Sequence, residues 1–326
     1  MYYESYKKKP ARKMRRRKSF RAWFTGLLLK LIIWVLVLAA LCAGLLYAVP
    51  VSFFMIEPRE SNLSLTNGLP SDHLNLLLLG VDVLNDSSQR SDAMIVASIG
   101  YQDVRLTSFM RDILVDIPGY GTGKLNSAYA HGGPELVMRT LNERFDLNIM
   151  HYVTVDFVSL VEIVDAMGGV DIDISEAEME QINKNVYSSR KVFAPLGYTA
   201  TPLTEYGDDT HLNGLRALGY ARIRKIDSDF MRTSRQRTLL KAMIGKVRAN
   251  LWNPVMLWRL GDAVISALDT NMSLVQLISL GEKVLAAGDV SQMRLPVEGS
   301  YSDNGSALRI TDTKANIEAF RHFIYE

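Results

Sequence analysis

The sequence predicts an α/β protein: a three-layer α/β/α domain with a central mixed sheet, preceded by a single N-terminal transmembrane helix. Three observations lead there. From residue 73 onward, strand-length apolar runs alternate with helix-length segments, the pattern of helices packed on both faces of a sheet. Leu74–Gly80 is apolar almost throughout, as a strand covered on both faces requires. Between Leu31 and Ile56 lie 26 residues without a charge, where about 20 suffice to cross a bilayer.

Taken in order, residues 1–22 form a basic tail. Residues 1–30 carry eleven Lys and Arg against the single acid Glu4, which fixes this end in the cytoplasm. Residues 23–56 form the anchor region, where Lys30 can snorkel to the interface. A cleaved signal peptide would have an apolar stretch of only about 7–15 residues, so the anchor is expected to be retained. The protein is thus expected in the cell membrane as a single-pass chain with residues 73–326 outside. Residues 57–72 are polar and turn-rich and read as a linker.

In the outer domain, strands are expected at Leu74–Gly80, Asp92–Ile99, Val104–Met110, His151–Phe157, Val170–Ile174 and Gln292–Pro296. Helices are expected at Pro134–Phe145, Val158–Met167, Glu176–Val186, Asn213–Tyr220, from near Asp229 to about Asn250, and at Pro254–Ala267, Leu274–Ala286 and Thr313–Tyr325. Residues 187–211, with Pro195, Gly197, Pro202 and Gly207, read as a long loop or flap.

Charge and cysteine usage exclude several classes. From residue 31 on there are 26 basic and 34 acidic residues, a net of −8, so nucleic-acid binding by this domain is not expected. The only cysteine, Cys42, lies in the apolar span, which excludes a disulfide framework or a cysteine nucleophile outside. No GxxxxGK[ST] loop, GxSxG elbow or HExxH pair occurs, and the five histidines lack ligand spacing.

What remains is arginine and aspartate. Arg222-Ile-Arg224, Asp229, Arg232, Arg235 and Gln236 fall within fifteen residues. An extended Arg222–Arg224 segment would point both arginines one way. A helix from Asp229 would put Asp229, Arg232 and Gln236 on one face at i, i+3 and i+7. Guanidinium groups are planar, permanent cations matched to phosphate oxygens, so a pyrophosphate ligand is suggested. A solvated helix face with an Asp229–Arg232 ion pair is the plainer alternative. Asp82 ends the first strand and Asp92 opens the next; if these strands are antiparallel neighbours, the two carboxylates meet at one sheet edge. Such a pair suits Mg²⁺, which takes one or two carboxylates plus phosphate oxygens. Turn capping is their simpler role. Arg111-Asp112, after the third strand, can add a guanidinium, and Lys124–Gly133 is a mixed polar loop before a helix.

With these blocks assembled, the chain resembles the LytR–CpsA–Psr family of bacterial envelope phosphotransferases. The matching stretches are Leu76–Asp82, Arg90–Met94, Thr107–Asp112, Lys124–Tyr129, Gly168–Asp171, Leu212–Leu218, Tyr220–Arg224 and Asp229–Gln236. They span a motif-bearing core of about residues 73–250. The resemblance implies transfer of a glycopolymer with one phosphate, teichoic acid or capsule-like, from a polyprenyl-pyrophosphate carrier to peptidoglycan, using Mg²⁺ (or Mn²⁺). It implies an apolar tunnel for the lipid and an arginine-lined mouth. By position, Asp82 and Asp92 match metal-binding aspartates. Arg90, Arg111, Arg222, Arg224 and Arg232 match phosphate-contacting arginines, and Asp229 and Gln236 match polar residues of the same site. Lys124, Asn126 and Arg235 match further motif positions on the pyrophosphate side. The Lys225–Asp229 spacer leaves Asp227 as a competitor of Asp229. A general base among Asp82 and Asp92 stays open, as do hydrolysis of the pyrophosphate and the regulatory or attenuator role of the family's older names. Helices Val255–Leu268 and Leu274–Ala286 are expected in core packing, with a lipid-tunnel wall as the alternative.

Overall fold

The computed structural model describes residues 62–82 and 90–326. The basic tail, the charge-free span and most of the linker lie outside the described residues. Among those described, no helix is long and apolar enough to cross a membrane.

The main sheet has six strands: β1 (Leu74–Val81), β2 (Ser91–Ile99), β3 (Asp103–Phe109), β6 (His151–Asp156), β9 (Asp269–Thr270) and β10 (Asp289–Leu295), in the order β10-β3-β2-β1-β6-β9. It is mixed: β1 pairs antiparallel with β2 and parallel with β6, and β3 pairs parallel with β10. The near-continuous apolar character of β1 has the expected cause, since helices cover both faces. Leu77 and Leu79 join a core with Val137 and Leu141 of α1 (Ser127–Phe145) and Phe320 of α8 (Thr313–Tyr325). Leu74 and Leu76 pack on the opposite side with Leu240 of α5 (Asp229–Ala249) and Leu280 of α7 (Leu274–Ala286). Side chains alternate between faces along a strand, so both alternating sets find an apolar partner.

Two smaller sheets flank this one. The first, in order β11-β12-β4-β5, joins β4 (Ile113–Ile117), β5 (Gly121–Lys124), β11 (Tyr301–Asp303) and β12 (Leu308–Ile310). The second pairs β7 (Val170–Ile174) with β8 (Gly207–Leu212). A separate core packs these last strands against α2 (Phe157–Ala166), α3 (Glu176–Phe193), α4 (Gly214–Ala221) and α6 (Pro254–Ala267). Gly214 allows α4 to seat on α2: a Cβ there would meet the Val161 carbonyl oxygen at 2.3 Å.

Several expectations change. Arg222 and Arg224 are not in a strand. Arg222 caps α4 and Ile223 is buried in the core, so the Arg-Ile-Arg alternation marks a helix end rather than a pleat. Residues 187–211 are not a long flap. α3 continues to Phe193 because its buried stripe (Ile182, Val186, Ser189, Phe193) keeps helical spacing, and β8 follows. The Lys124–Gly133 loop is largely helix: α1 begins at Ser127 and kinks at Gly132–Gly133, where Gly133 has φ 61° just before Pro134. Strands β4, β5, β11 and β12 were not expected at all.

Candidate active site

The site grows from the carboxyl ends of two parallel neighbours. Val81 of β1 is in register with Asp156 of β6, so Asp82 and the start of α2 emerge side by side, the usual place for a ligand on an open α/β sheet. Antiparallel pairing of Val81 with Ser91 brings the start of β2 to the same end. Asp82 and Asp92 are therefore neighbours, as the spacing predicts.

An alternating chain of charges crosses this end of the sheet. Asp92 accepts from Arg224 at 2.6 Å and from Arg111 at 2.7 Å. The Arg111 Nε lies 3.8 Å from Asp229, and Asp229 accepts from Arg232 at 2.7 Å. Burial opposes the charge on Asp92, but Arg224 and Arg111 outweigh it and hold the carboxyl below its ordinary value. Arg111, flanked by Asp92, Asp229 and Asp112, is likewise held more firmly charged despite burial. Arg222 comes from the end of α4. Its Nη1 donates to Ser189 Oγ at 3.1 Å and its guanidinium stacks 4.7 Å from the Phe157 ring. Burial lowers its pKa, with Asp82 opposing that shift and Arg224 reinforcing it.

Arg232 is the outlier. It is 1% exposed, yet among the described residues two of its guanidinium nitrogens, Nε and Nη1, have no hydrogen-bond partner. Burial first, then the cations Arg111 and Arg224, push its pKa down to about 10. One helical turn on, the buried Gln236 Oε1 also has no partner among the described residues. A buried polar atom left without a partner costs of order 1–3 kcal/mol, so such a cluster marks a place shaped for a ligand.

These residues border an apolar cavity that opens to solvent. On α5 it is lined by Arg232, Gln236, Leu239, Leu240 and Met243, which recur on one helix face. At roughly 1.5 Å per residue the cavity follows α5 for about 16 Å, polar at its first turns and hydrocarbon beyond. Leu78 of β1, Ile95 of β2 and Leu160 and Ile163 of α2 complete the apolar part. Neither α6 nor α7 lines it; both serve the core, as their plainer reading has it.

The structure thus gathers Asp92, Arg111, Arg222, Arg224, Asp229, Arg232 and Gln236 at one end of the sheet, with Asp82 beside Arg222. It does not bring every expected residue there. Arg235 does not line the cavity, and its guanidinium is held by Glu178 (2.7 Å) and Asp227. Of the two competing aspartates, Asp227 thus pairs with Arg235 and Asp229 with Arg232. Lys124 and Asn126 lie behind Arg111 instead of on the cavity wall. Lys124 pairs with Asp112 at 2.7 Å, and the buried Asn126 donates its backbone N–H to the Arg111 carbonyl. Arg90 is exposed just before β2 and does not line the cavity. Phe157, Ser189 and the α2 and α5 lining residues were missed. Only the Asp156–Ser159 capping spacing at the end of an apolar strand could have hinted at Phe157.

Among the described residues no cluster of three or more Asp, Glu, His or Cys side chains is suited to a metal ion. Asp82 and Asp92 are the two carboxylates at this edge, and both Asp92 oxygens accept from arginine.

A model of the LytR_cpsA_psr family matches residues 56–320. The regulatory protein MsrR of Staphylococcus aureus is 31% identical over 265 residues, covering 78% of this chain and 75% of that protein. The polyisoprenyl-teichoic acid–peptidoglycan teichoic acid transferase TagU of Enterococcus faecalis is 32% identical over 264 residues, covering 78% and 79%. A solved structure of TagT bound to LI-WTA, 26% identical, matches with a TM-score of 0.62 over 78% of this chain and 89% of that one. The motif blocks, the mixed sheet and these matches agree: this chain is an enzyme that belongs to the LytR_cpsA_psr family.

Proposed function

We propose that this enzyme is a membrane-anchored phosphotransferase that moves a glycopolymer from a polyprenyl-pyrophosphate carrier to a hydroxyl of peptidoglycan. One observation carries the reading: a fully buried arginine, two of whose nitrogens have no partner among the described residues, stands at the head of a long apolar cavity. A ligand with a polyanionic head and a hydrocarbon tail satisfies both ends at once. The name of TagU, a transferase between polyisoprenyl-teichoic acid and peptidoglycan, points the same way.

Each residue then has a task. Arg222, Arg224 and Arg232 bind the pyrophosphate, and Arg111 links Asp92 and Asp229 to that grip. The leaving lipid phosphate keeps its charge beside the same arginines, so they stabilise it most as the bridging bond breaks. The apolar wall gives the hydrocarbon tail of the donor a place out of water. Asp82 and Asp92 would hold Mg²⁺ or Mn²⁺, which when bound neutralises phosphate charge. The charge-free span at residues 31–56 would keep the domain at the membrane that carries the donor, outside the cell, with the basic tail in the cytoplasm.

The test combines the purified full-length chain with polyprenyl-pyrophosphate-linked glycan, Mg²⁺ and peptidoglycan oligomers. Glycan covalently attached to the oligomer is expected, and loss of that product in an Arg224→Ala, Arg232→Ala double variant. Release of free glycan phosphate in its place, or full transfer by the double variant, refutes the reading.

A further inference from the structure

We propose that a second, polar cavity, reached across the Asp229–Arg232 ion pair, is the acceptor subsite, and that Asp229 takes the proton of the attacking sugar hydroxyl. The inference rests on the transfer reading above and locates its second substrate.

This cavity, about 470 Å³, is lined by Asp112, Ser228, Asp229, Phe230, Asp303 and Ser306 among others. Asp229 is on its wall, while Arg232, 2.7 Å from Asp229, is on the wall of the apolar cavity. One ion pair therefore separates the two spaces. Their chemistries are opposite. The first offers guanidinium groups and hydrocarbon; the second offers the carboxylates of Asp229 and Asp303, that of Asp112 already paired with Lys124 and Arg111, two hydroxyls and an aromatic ring. Carboxylates repel a pyrophosphate but accept hydrogen bonds from an uncharged, hydroxyl-rich ring. The Phe230 ring is fixed beneath Arg294, whose guanidinium carbon lies 4.0 Å from its centroid, and beside Tyr301 at 5.8 Å. It gives the cavity a rigid apolar patch of the kind that takes the C–H face of a pyranose.

Asp229 is placed to act on both sides. Arg232 and Arg111 both approach its Oδ2, and among the described residues no hydrogen bond reaches Oδ1. Ser228, the residue before it, makes no capping hydrogen bond with its hydroxyl. In the step proposed, the acceptor oxygen forms a bond to the glycan-bearing phosphorus. The bond from that phosphorus to the oxygen bridging to the lipid phosphate breaks, and its electron pair leaves on the lipid phosphate beside the arginines. The hydroxyl proton passes to Asp229 and then to solvent.

The test uses the full-length chain, polyprenyl-pyrophosphate-linked glycan as donor and N-acetylglucosamine–N-acetylmuramic acid oligomers as acceptor. Asp303 and Ser306 are exposed on the β11–β12 hairpin, so an Asp303→Ala, Ser306→Tyr variant is expected to fold. Its acceptor KM should rise about 10-fold or more with donor KM unchanged. A rise in donor KM instead, or no change in either, overturns the assignment. Asp229→Asn should lower kcat about 100-fold and remove the acidic limb of its pH profile, with partial recovery in Asp229→Glu. Retention of that limb in Asp229→Asn rules out the base role. Failure of the unaltered enzyme to label any acceptor rejects transfer itself, a different outcome from either variant result.

Discussion

Replacing Arg232 by methionine should move stability and function in opposite directions. Arg232 is 1% exposed, and its guanidinium pKa falls well below the ordinary arginine value, to about 10, through burial, then through Arg111 and Arg224. At about 1.36 kcal/mol per unit, keeping that charge in the folded protein costs about 3 kcal/mol. The sign is clear. The folded pKa lies below the unfolded one, so the cost is fully present at every pH below about 10 and disappears only as pH rises beyond that toward the ordinary arginine value. Methionine has a similar length and no charge, so the penalty vanishes at neutral pH. A gain of about 2–3 kcal/mol corresponds to a Tm rise of about 5–10 °C for a domain of this size. Transfer should fall by about 100- to 1000-fold, since a donor aimed at developing phosphate charge is gone. Thermal unfolding of the detergent-solubilised chain and the oligomer-labelling reaction measure the two effects. A lowered Tm would make Arg232 a structural strut, and transfer within about three-fold of the parent enzyme would remove it from the site; either result refutes the reasoning.

Three further outcomes are expected. Asp92 is held below its ordinary value of 3.8 by Arg224 and Arg111, so its stabilising charge is present above that pH and lost as pH falls below it; Asp92→Asn should flatten the acid side of the Tm-versus-pH curve, and an unchanged curve would contradict the ion-pair account. Met243→Trp, at the hydrocarbon end of the cavity, should raise KM about 10-fold more for a long-chain than for a short-chain donor, whereas equal effects would mean that the tail lies elsewhere. Arg235→Ala leaves Glu178 and Asp227 without their shared partner and should cost about 3–5 kcal/mol of stability with donor affinity unchanged below the unfolding transition; lost affinity at full stability would return Arg235 to the site.

Legibility in the sequence followed the length of each pattern. Leu74–Gly80, with a buried set on each face, announced a central strand, and the α5 stripe from Asp229 onward was read almost to its end. The Arg222-Ile-Arg224 triplet misled because three residues cannot distinguish a pleat from a helix end, and burial of Ile223 decided the matter. The flap expected over 187–211 failed because Pro195 and Gly197 drew attention from the buried stripe that extends α3 to Phe193. The short strands β4, β5, β11 and β12 carry too few residues for a period of two to stand out. Arg235 shows the limit for charged groups: its residue type fits a phosphate, and only its neighbours Glu178 and Asp227 show that the charge is already satisfied.

By itself the sequence determined the class of fold, the family and the identity of most residues in the arginine–aspartate chain, because apolar periodicity and ordered motif blocks are local properties of a chain. It also carried the charge-free span and its basic flank. Which arginines face a ligand was a tertiary matter. Val81 had to meet Asp156 and Ser91, and α4 had to seat Gly214 on Val161, before Arg222, Arg224 and Arg232 converged. The same packing left Arg232 buried, with two nitrogens unpartnered among the described residues, and set a polar cavity across a single ion pair. Both depend on distances between residues remote in the chain, and no local pattern encodes those distances.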